Sequence, residues 1–270
     1  MPEYLNNGNI QNIKLVDNNG QILNSGAIQL VELVNSLSGS ASGGWNTMGE
    51  LSFVSIDTPS FVYQESGNLT GTYFPGQRVK LTNNTLKYAI ITKVDYSGGN
   101  TQLNFYGGTD YVISGTISNP YYSREKIPLG FPTEQTKWTV SVTYSGSVSQ
   151  ASPVQNTWYN ITGSITIPIG FWDVGYIVYG QVTRASAGAV AIATTLSTAN
   201  NSQSDVEFSD EFYVTNITTS LQTLRGNKQL LLTSKTPYYL NTRTVEASMQ
   251  FIYNRGDNIS TRIFAKCAYL

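Results

Sequence analysis

Apolar and polar residues alternate with period two along much of this chain. Arg78-Val79-Lys80-Leu81 and Thr101-Gln102-Leu103-Asn104-Phe105 place apolar side chains on one face of a strand and polar ones on the other. Between such runs stand Asn83-Asn84 and Ser97-Gly98-Gly99-Asn100, residues that close hairpins. Leu51 to Pro132, about 80 residues and a usual domain size, is therefore predicted to be a small antiparallel β-module. Two prolines in Pro128-Leu129-Gly130-Phe131-Pro132 interrupt strand pairing, so the module is expected to occupy residues 45–135, with a boundary near 133–137.

Residues 136–270 carry strand signals at short intervals. Trp138, Val140, Val142 and Tyr144 alternate, and further runs cover 158–161, 164–169, 175–182, 189–195, 206–214, 229–232, 238–240, 245–253 and 261–270. Turns are expected at Ile169-Gly170-Phe171, Ser197 to Ser204 and Asn254 to Asp257. About eight to ten strands over this length suit a double-sheet jelly roll. The fold class is all-β: a small antiparallel β-module, then a C-terminal β-sandwich or jelly roll.

The period changes near the start. Ala27, Leu30, Val34 and Leu37 recur at spacings of three and four, with Val31 and Leu33 widening the stripe, Ser25 as N-cap and Gly39 as terminator. This predicts a short N-terminal helix of about three turns, too short to be stable alone. It must pack on its own chain, on copies of itself, or on a neighbouring protein. Residues 1–24 read as an extended arm or hairpin, and the Gly/Ser-rich stretch from Ser38 to Gly44 as a linker, so 1–44 forms an attachment or oligomerisation segment.

Charged residues make up 12% of the chain, about half the usual share, and tyrosine dominates the aromatics with 18 copies. A surface so poor in charge is covered by Ser, Thr, Asn, Gln and Tyr, which suits strand faces and extended contacts. The net charge of −1 removes the electrostatic attraction that dominates nucleic-acid binding, so that partner is set aside. The absence of histidine removes the commonest general base and metal ligand. Cys267, the single cysteine, reads as a small buried hydrophobe. No apolar run approaches the ~20 residues of a membrane span and the first residues lack a signal-peptide pattern, so neither membrane insertion nor secretion is expected. The six Asn-x-Ser/Thr sequons (Asn68, Asn83, Asn160, Asn200, Asn216, Asn258) then follow from Asn and Thr abundance.

Candidate chemistry is sparse. Asp205 and Glu207, two apart on one strand face with Asp210 and Glu211 behind, fit a glycosidase pair, a Ca²⁺ site or a plain solvated strand and turn. Trp158, Trp172 and Tyr176 lie in alternating strands and are expected in the core rather than on a sugar-binding surface. The polar loop around Asn200, Asn201, Ser202 and Gln203 is the candidate receptor contact, since loops on rigid sandwiches carry binding. Gly43-Gly44, Gly98-Gly99 and Gly107-Gly108 lack the flanking residues of a phosphate loop. No catalytic residue, metal site or cofactor is expected.

The ordered series Phe61-Val62, Gly67 to Thr70, Phe74 to Thr82, Lys87-Tyr88, Gly107 to Tyr111, Tyr121 to Ser123 and Pro128 to Pro132 resembles a small β-module of tailed-bacteriophage virion proteins: tail fibre, baseplate and head fibre proteins. It covers about a third of the chain. Trp158 to Gly163, Ile167 to Tyr176 and Tyr238 to Asn241 are similar in pattern to C-terminal jelly rolls of phage fibre and receptor-binding proteins, which commonly form trimers. The resemblance implies a non-enzymatic, homotrimeric tail or baseplate fibre, assembled in the host cytoplasm into the virion. Ala27, Leu30, Val34 and Leu37 would attach it to other virion proteins, and its head would meet a host-surface glycan or protein. A head fibre or capsid decoration protein is the alternative, and a polysaccharide depolymerase the second.

Overall fold

The structure is a computed structural model that describes residues 43–57, 60–108, 113, 115–255 and 261–270. The expected helix, with Ala27, Leu30, Val34 and Leu37, lies outside the described residues, as do the arm and most of the linker. The described residues are almost wholly β, with one 3-10 turn at Val206–Phe208.

Seven strands form the first sheet: β1 (Asn46–Thr47), β2 (Ser52–Asp57), β3 (Ser60–Ser66), β4 (Arg78–Asn83), β5 (Thr85–Ser97), β6 (Asn100–Tyr106) and β7 (Ser118–Ser123), in the order β1-β7-β4-β5-β6-β3-β2. The expected turns are where the alternation places them. Gly98 and Gly99 both take positive φ (60° and 84°) and join Ser97 to its cross-strand partner Asn100, a two-residue hairpin that β-branched residues would strain. Asn84, at φ 61°, turns β4 into β5.

Both faces of this sheet are covered at its centre. Phe61, Tyr63, Val79, Leu81, Ala89, Ile91, Leu103 and Phe105 form a core within the module. On the other face a cross-strand row of Arg78, Ile90 and Tyr106 turns toward the second sheet. That explains the run Ala89 to Thr92 in β5, which is buried at every position instead of alternating.

The second sheet holds β8 (Thr139–Tyr144), β9 (Val148–Ala151), β10 (Tyr159–Ile167), β11 (Gly170–Ser197), β12 (Ser209–Leu232), β13 (Thr236–Thr244), β14 (Met249–Arg255) and β15 (Thr261–Cys267). Its spine is β11, 28 residues long, where the pattern predicts two separate strands. Arg184-Ala185-Ser186-Ala187-Gly188 contains neither proline nor an Asn-Gly pair, so the chain bulges and runs on, with register shifts at Gly188. β12 follows one edge of β11 throughout, while the other edge is shared by β15, β14 and β13 in turn. Outside these lie β8, β9 and β10 respectively.

A jelly roll of two separate sheets meets a different hydrogen-bond path here: all eight strands join in one sheet, folded over by the bend in the β11–β12 hairpin. The two halves face one another. Tyr176 Oη on the first half of β11 donates to the Thr194 carbonyl on the second (2.8 Å), and Tyr144 Oη of β8 donates to the Ser164 carbonyl of β10 (3.2 Å). Between them lie Ile165, Val174, Val178, Ile192, Leu240, Ile252 and Ile263.

The two sheets share this core through aromatic rings. Tyr106 meets Trp172 edge to face at 5.0 Å, and Phe131 stacks on Trp138 at 5.1 Å. The indole nitrogens of Trp138 and Trp172 donate to the Pro132 and Pro168 carbonyls, which allows both rings to be buried. Trp172 and Tyr176 are in the core as expected. Trp158 is not: it is half-buried under the Arg243 guanidinium, 4.7 Å from its ring centroid, because residues 152–158 run as a loop outside the alternating strands.

Candidate functional site

The loop from Thr198 to Ser204 joins β11 to β12, and its tip is exposed at Asn200 and Asn201. It is held from within by Asn241, a fully buried residue of β13. The Asn241 amide nitrogen donates to the Ala199 carbonyl (2.9 Å) and the Ser202 carbonyl (2.6 Å), and its oxygen accepts from the Asn201 N–H. Asn201 in turn accepts from the Asn160 N–H, and Gln203 donates to Ser209 Oγ at 2.6 Å. Of the candidate contact residues, Asn201, Ser202 and Gln203 thus shape the loop, and Asn200 projects.

The acidic group is also committed to architecture. Asp205 caps the 3-10 turn by accepting from the Glu207 N–H, and Lys228 Nζ lies 2.5 Å from Asp205 and 2.8 Å from Glu207. The Lys228 hydrogen bond holds the Asp205 carboxyl below the usual carboxylate range, the wrong direction for the proton donor of a glycosidase. Asp210 accepts from the Glu211 and Arg225 backbone N–H groups, and the second of these ties the two arms of the folded β12 together.

Sequence patterning missed a different cluster. Strands β8, β15, β11 and β12 lie side by side, and their outward residues form three cross-strand rows: Thr139, Lys266, Asp173, Gln229; then Ser141, Phe264, Gly175, Asn227; then Thr143, Arg262, Ile177, Arg225. The alternate residues Val142, Ile263, Val174 and Leu224 point into the core, which fixes this face outward. Phe264 sits opposite Gly175 and lies across it: a Cβ at Gly175 would come within 2.6 Å of the ring. The Arg262 guanidinium and the Lys266 ammonium each stand 5.5 Å from the Phe264 centroid.

Three cations share this face with one carboxylate, Asp173, and none of the three is ion-paired among the described residues. A hollow flanks the ridge on each side. One, of about 260 Å³, is lined by Gln135, Thr136, Thr139, Ser141, Arg262 and Lys266. The other, of about 330 Å³, includes Ile177, Arg225, Asn227 and Phe264. A wider hollow of about 550 Å³ between β1 and β7 has one lining carboxylate, Glu50, and no cation. Among the described residues no group of three or more acidic, histidine or cysteine ligands is placed to hold a metal.

No protein-family model matches this chain, and no curated protein matches it. Among solved structures it is similar to dimeric latent PorU from Porphyromonas gingivalis, at 11% identity and a TM-score of 0.30, over 82% of this chain and 24% of that one. It is similar to the T13 viral particle of infectious bursal disease virus at 11% identity and a TM-score of 0.28, over 80% of this chain and 60% of that one. The VP2 subviral particle of the same virus gives 12% identity and a TM-score of 0.27, over 77% and 60%. The chain spans between about a quarter and three-fifths of those chains. These likenesses assign no family.

Proposed function

We propose that this chain is a non-enzymatic structural protein of a tailed-phage virion, a fibre that presents its C-terminal head to the host surface. The observation that carries the reading is the outer face of β8, β15, β11 and β12, where hydroxyl and amide side chains surround the Phe264 ridge and three cations form no ion pair among the described residues. Such a face, held rigid by a packed core, suits adhesion; the carboxyl groups near Lys228 do not suit hydrolysis. The ordered series of residues in the first module supplies the virion context.

Self-association belongs to the same reading. The outer edge of β12 pairs with no strand among the described residues, and from Phe212 to Leu224 it contains neither a charge nor a proline. Natural sheets protect long edges with such residues. Tyr213, Leu221 and Leu231 are exposed on it, so a trimer contact along β12 would cover apolar surface and backbone groups together.

Immunogold labelling of intact virions with an antibody against residues 136–270 tests the placement: label at the tail tip supports host attachment, and label over the capsid replaces it with a head fibre. Light scattering of the full chain should give three chains per particle, and a monomer would refute the trimer. Release of reducing sugar from host envelope, lost on Asp205→Asn with Glu207→Gln, would establish a depolymerase instead.

A further inference from the structure

We infer that the ridge of Arg262, Phe264 and Lys266, with Arg225 beside it, is a binding site for an acidic polysaccharide. This rests on the adhesion reading and names the class of glycan. Strand geometry sets the cation spacing. The backbones of Arg262 and Arg225 are two strands apart with Ile177 between them, about 10 Å, and those of Arg262 and Lys266 are four residues apart on β15, about 13 Å, while the Arg262 and Lys266 charges, each 5.5 Å from the Phe264 centroid, lie no more than about 11 Å from one another. Three cations spread over two strands offer successive contacts to an anion repeated along a chain, whereas one compact anion would need Arg225 to join the two cations gathered at Phe264.

The rest of the face fits the remainder of such a polymer. Thr136, Thr139, Ser141 and Gln135 line the hollow beside Arg262 and Lys266, and Asn227 that beside Arg225, so sugar hydroxyls have donors and acceptors on both sides of the ridge. Phe264 holds the two β15 cations near its ring and gives a sugar ring an apolar surface. Asp173, cross-strand from Lys266, is the one carboxylate in these rows, and none of the three cations is ion-paired among the described residues, so an incoming carboxylate or phosphate need not displace an existing ion pair. Nucleic acid fits less well: its binding rests on attraction to a basic protein, and this chain has a net charge of −1.

The test uses the full chain and three soluble polysaccharides: polygalacturonate (carboxylate), phosphorylated dextran (phosphate) and dextran (neutral), with inorganic polyphosphate as a polymer without hydroxyls. Calorimetry should detect one of the two acidic polymers, and the polymer that binds identifies the anion. Arg262→Gln with Lys266→Gln, which keeps long side chains over Phe264, should weaken that binding by at least tenfold, and raising salt should weaken it in the wild type. Asp205→Asn, at the partner of Lys228 on the opposite face of β12, should leave it unchanged. Absence of binding to both acidic polymers, equal binding of dextran, equal binding of polyphosphate, or undiminished binding by the double variant would each overturn the assignment. The double variant is also added to host cells with virions. If wild type and variant block adsorption equally, the fibre attaches through another surface; if neither blocks it, the adhesion reading itself fails.

Discussion

Arg78→Met probes the joint between the two sheets. The Arg78 side chain is 1% exposed and lies under the Phe131 ring, 5.1 Å from its centroid. Its nitrogens donate to three carbonyls: Lys126 (3.0 Å), Gly76 (2.6 Å) and Tyr269 (3.0 Å). The last of these ties β4 of the first sheet to the chain just beyond β15. No carboxylate pairs with the guanidinium among the described residues, and burial lowers its pKa. Hydrogen bonds from a charged donor contribute about 1.5–3 kcal/mol each, while burying the ion costs several kcal/mol, so the gross gain is largely offset. What the substitution leaves behind decides the sign.

Methionine fills the space but strands three carbonyl oxygens, each costing about 1–3 kcal/mol where water cannot reach it. A hollow of about 230 Å³ beside Arg78 and Phe131 lets water reach some of them. With one or two oxygens unsatisfied, Arg78→Met should destabilise the protein by about 2–4 kcal/mol. At about 2–4 °C per kcal/mol for this size, the melting temperature should fall by roughly 5–15 °C. Arg78→Lys should behave much like Met, because one ammonium cannot reach three diverging carbonyls. Thermal denaturation followed by circular dichroism reads the shift, and hydrogen exchange should show faster opening at residues 265–269. A Met variant melting within about 1 °C of wild type, or above it, would refute the claim that these hydrogen bonds hold the sheets together.

Asn241→Ala should free the Thr198–Ser204 loop, at a cost of about 1–3 kcal/mol for the carbonyls it strands, and limited proteolysis should then cut there first. Intact protection in the variant would show that the loop holds itself. Gly175→Ala should displace Phe264, since the new methyl would meet the ring and the Gly226 carbonyl at 2.6 and 2.9 Å, and it should lower both melting temperature and polymer binding. Burial pushes the Cys267 thiol up to about 11 and the Tyr63 hydroxyl up to about 12, and it also raises Tyr73 and Tyr176. In the unfolded chain these groups ionise near their ordinary values, so the stability they contribute is complete below about pH 8.5 and is lost as pH rises through the folded values. Denaturant midpoints should therefore fall above about pH 9, and Cys267 should resist thiol reagents at pH 8 until the protein unfolds. If the proposed trimer forms along the β12 edge, Thr218→Lys should dissociate it, and an unchanged trimer mass in light scattering would move the contact elsewhere.

Much of the β character was legible because its signals are local. Alternation in Arg78 to Leu81 and Thr101 to Phe105 is a property of adjacent residues, and Gly98-Gly99 specifies its hairpin through the backbone angles it alone adopts cheaply. The loop after β11 and the burial of Trp172, Tyr176 and Cys267 follow from the same short-range pattern. Long-range pairing carries no such mark. Nothing between Arg184 and Gly188 announces that two runs are one 28-residue strand, because a bulge absorbs the offset that a turn would otherwise need. Arg225-Gly226-Asn227, turn-like in composition, is strand because β11 supplies hydrogen-bond partners along its length. The cationic face is the extreme case. Arg225, Phe264 and Ser141 come from three distant segments, and strand register brings them together. Local sequence set which residues point to the same side of each strand. Tertiary pairing set which strands lie next to one another, since that choice minimises free energy over contacts between residues far apart in the chain.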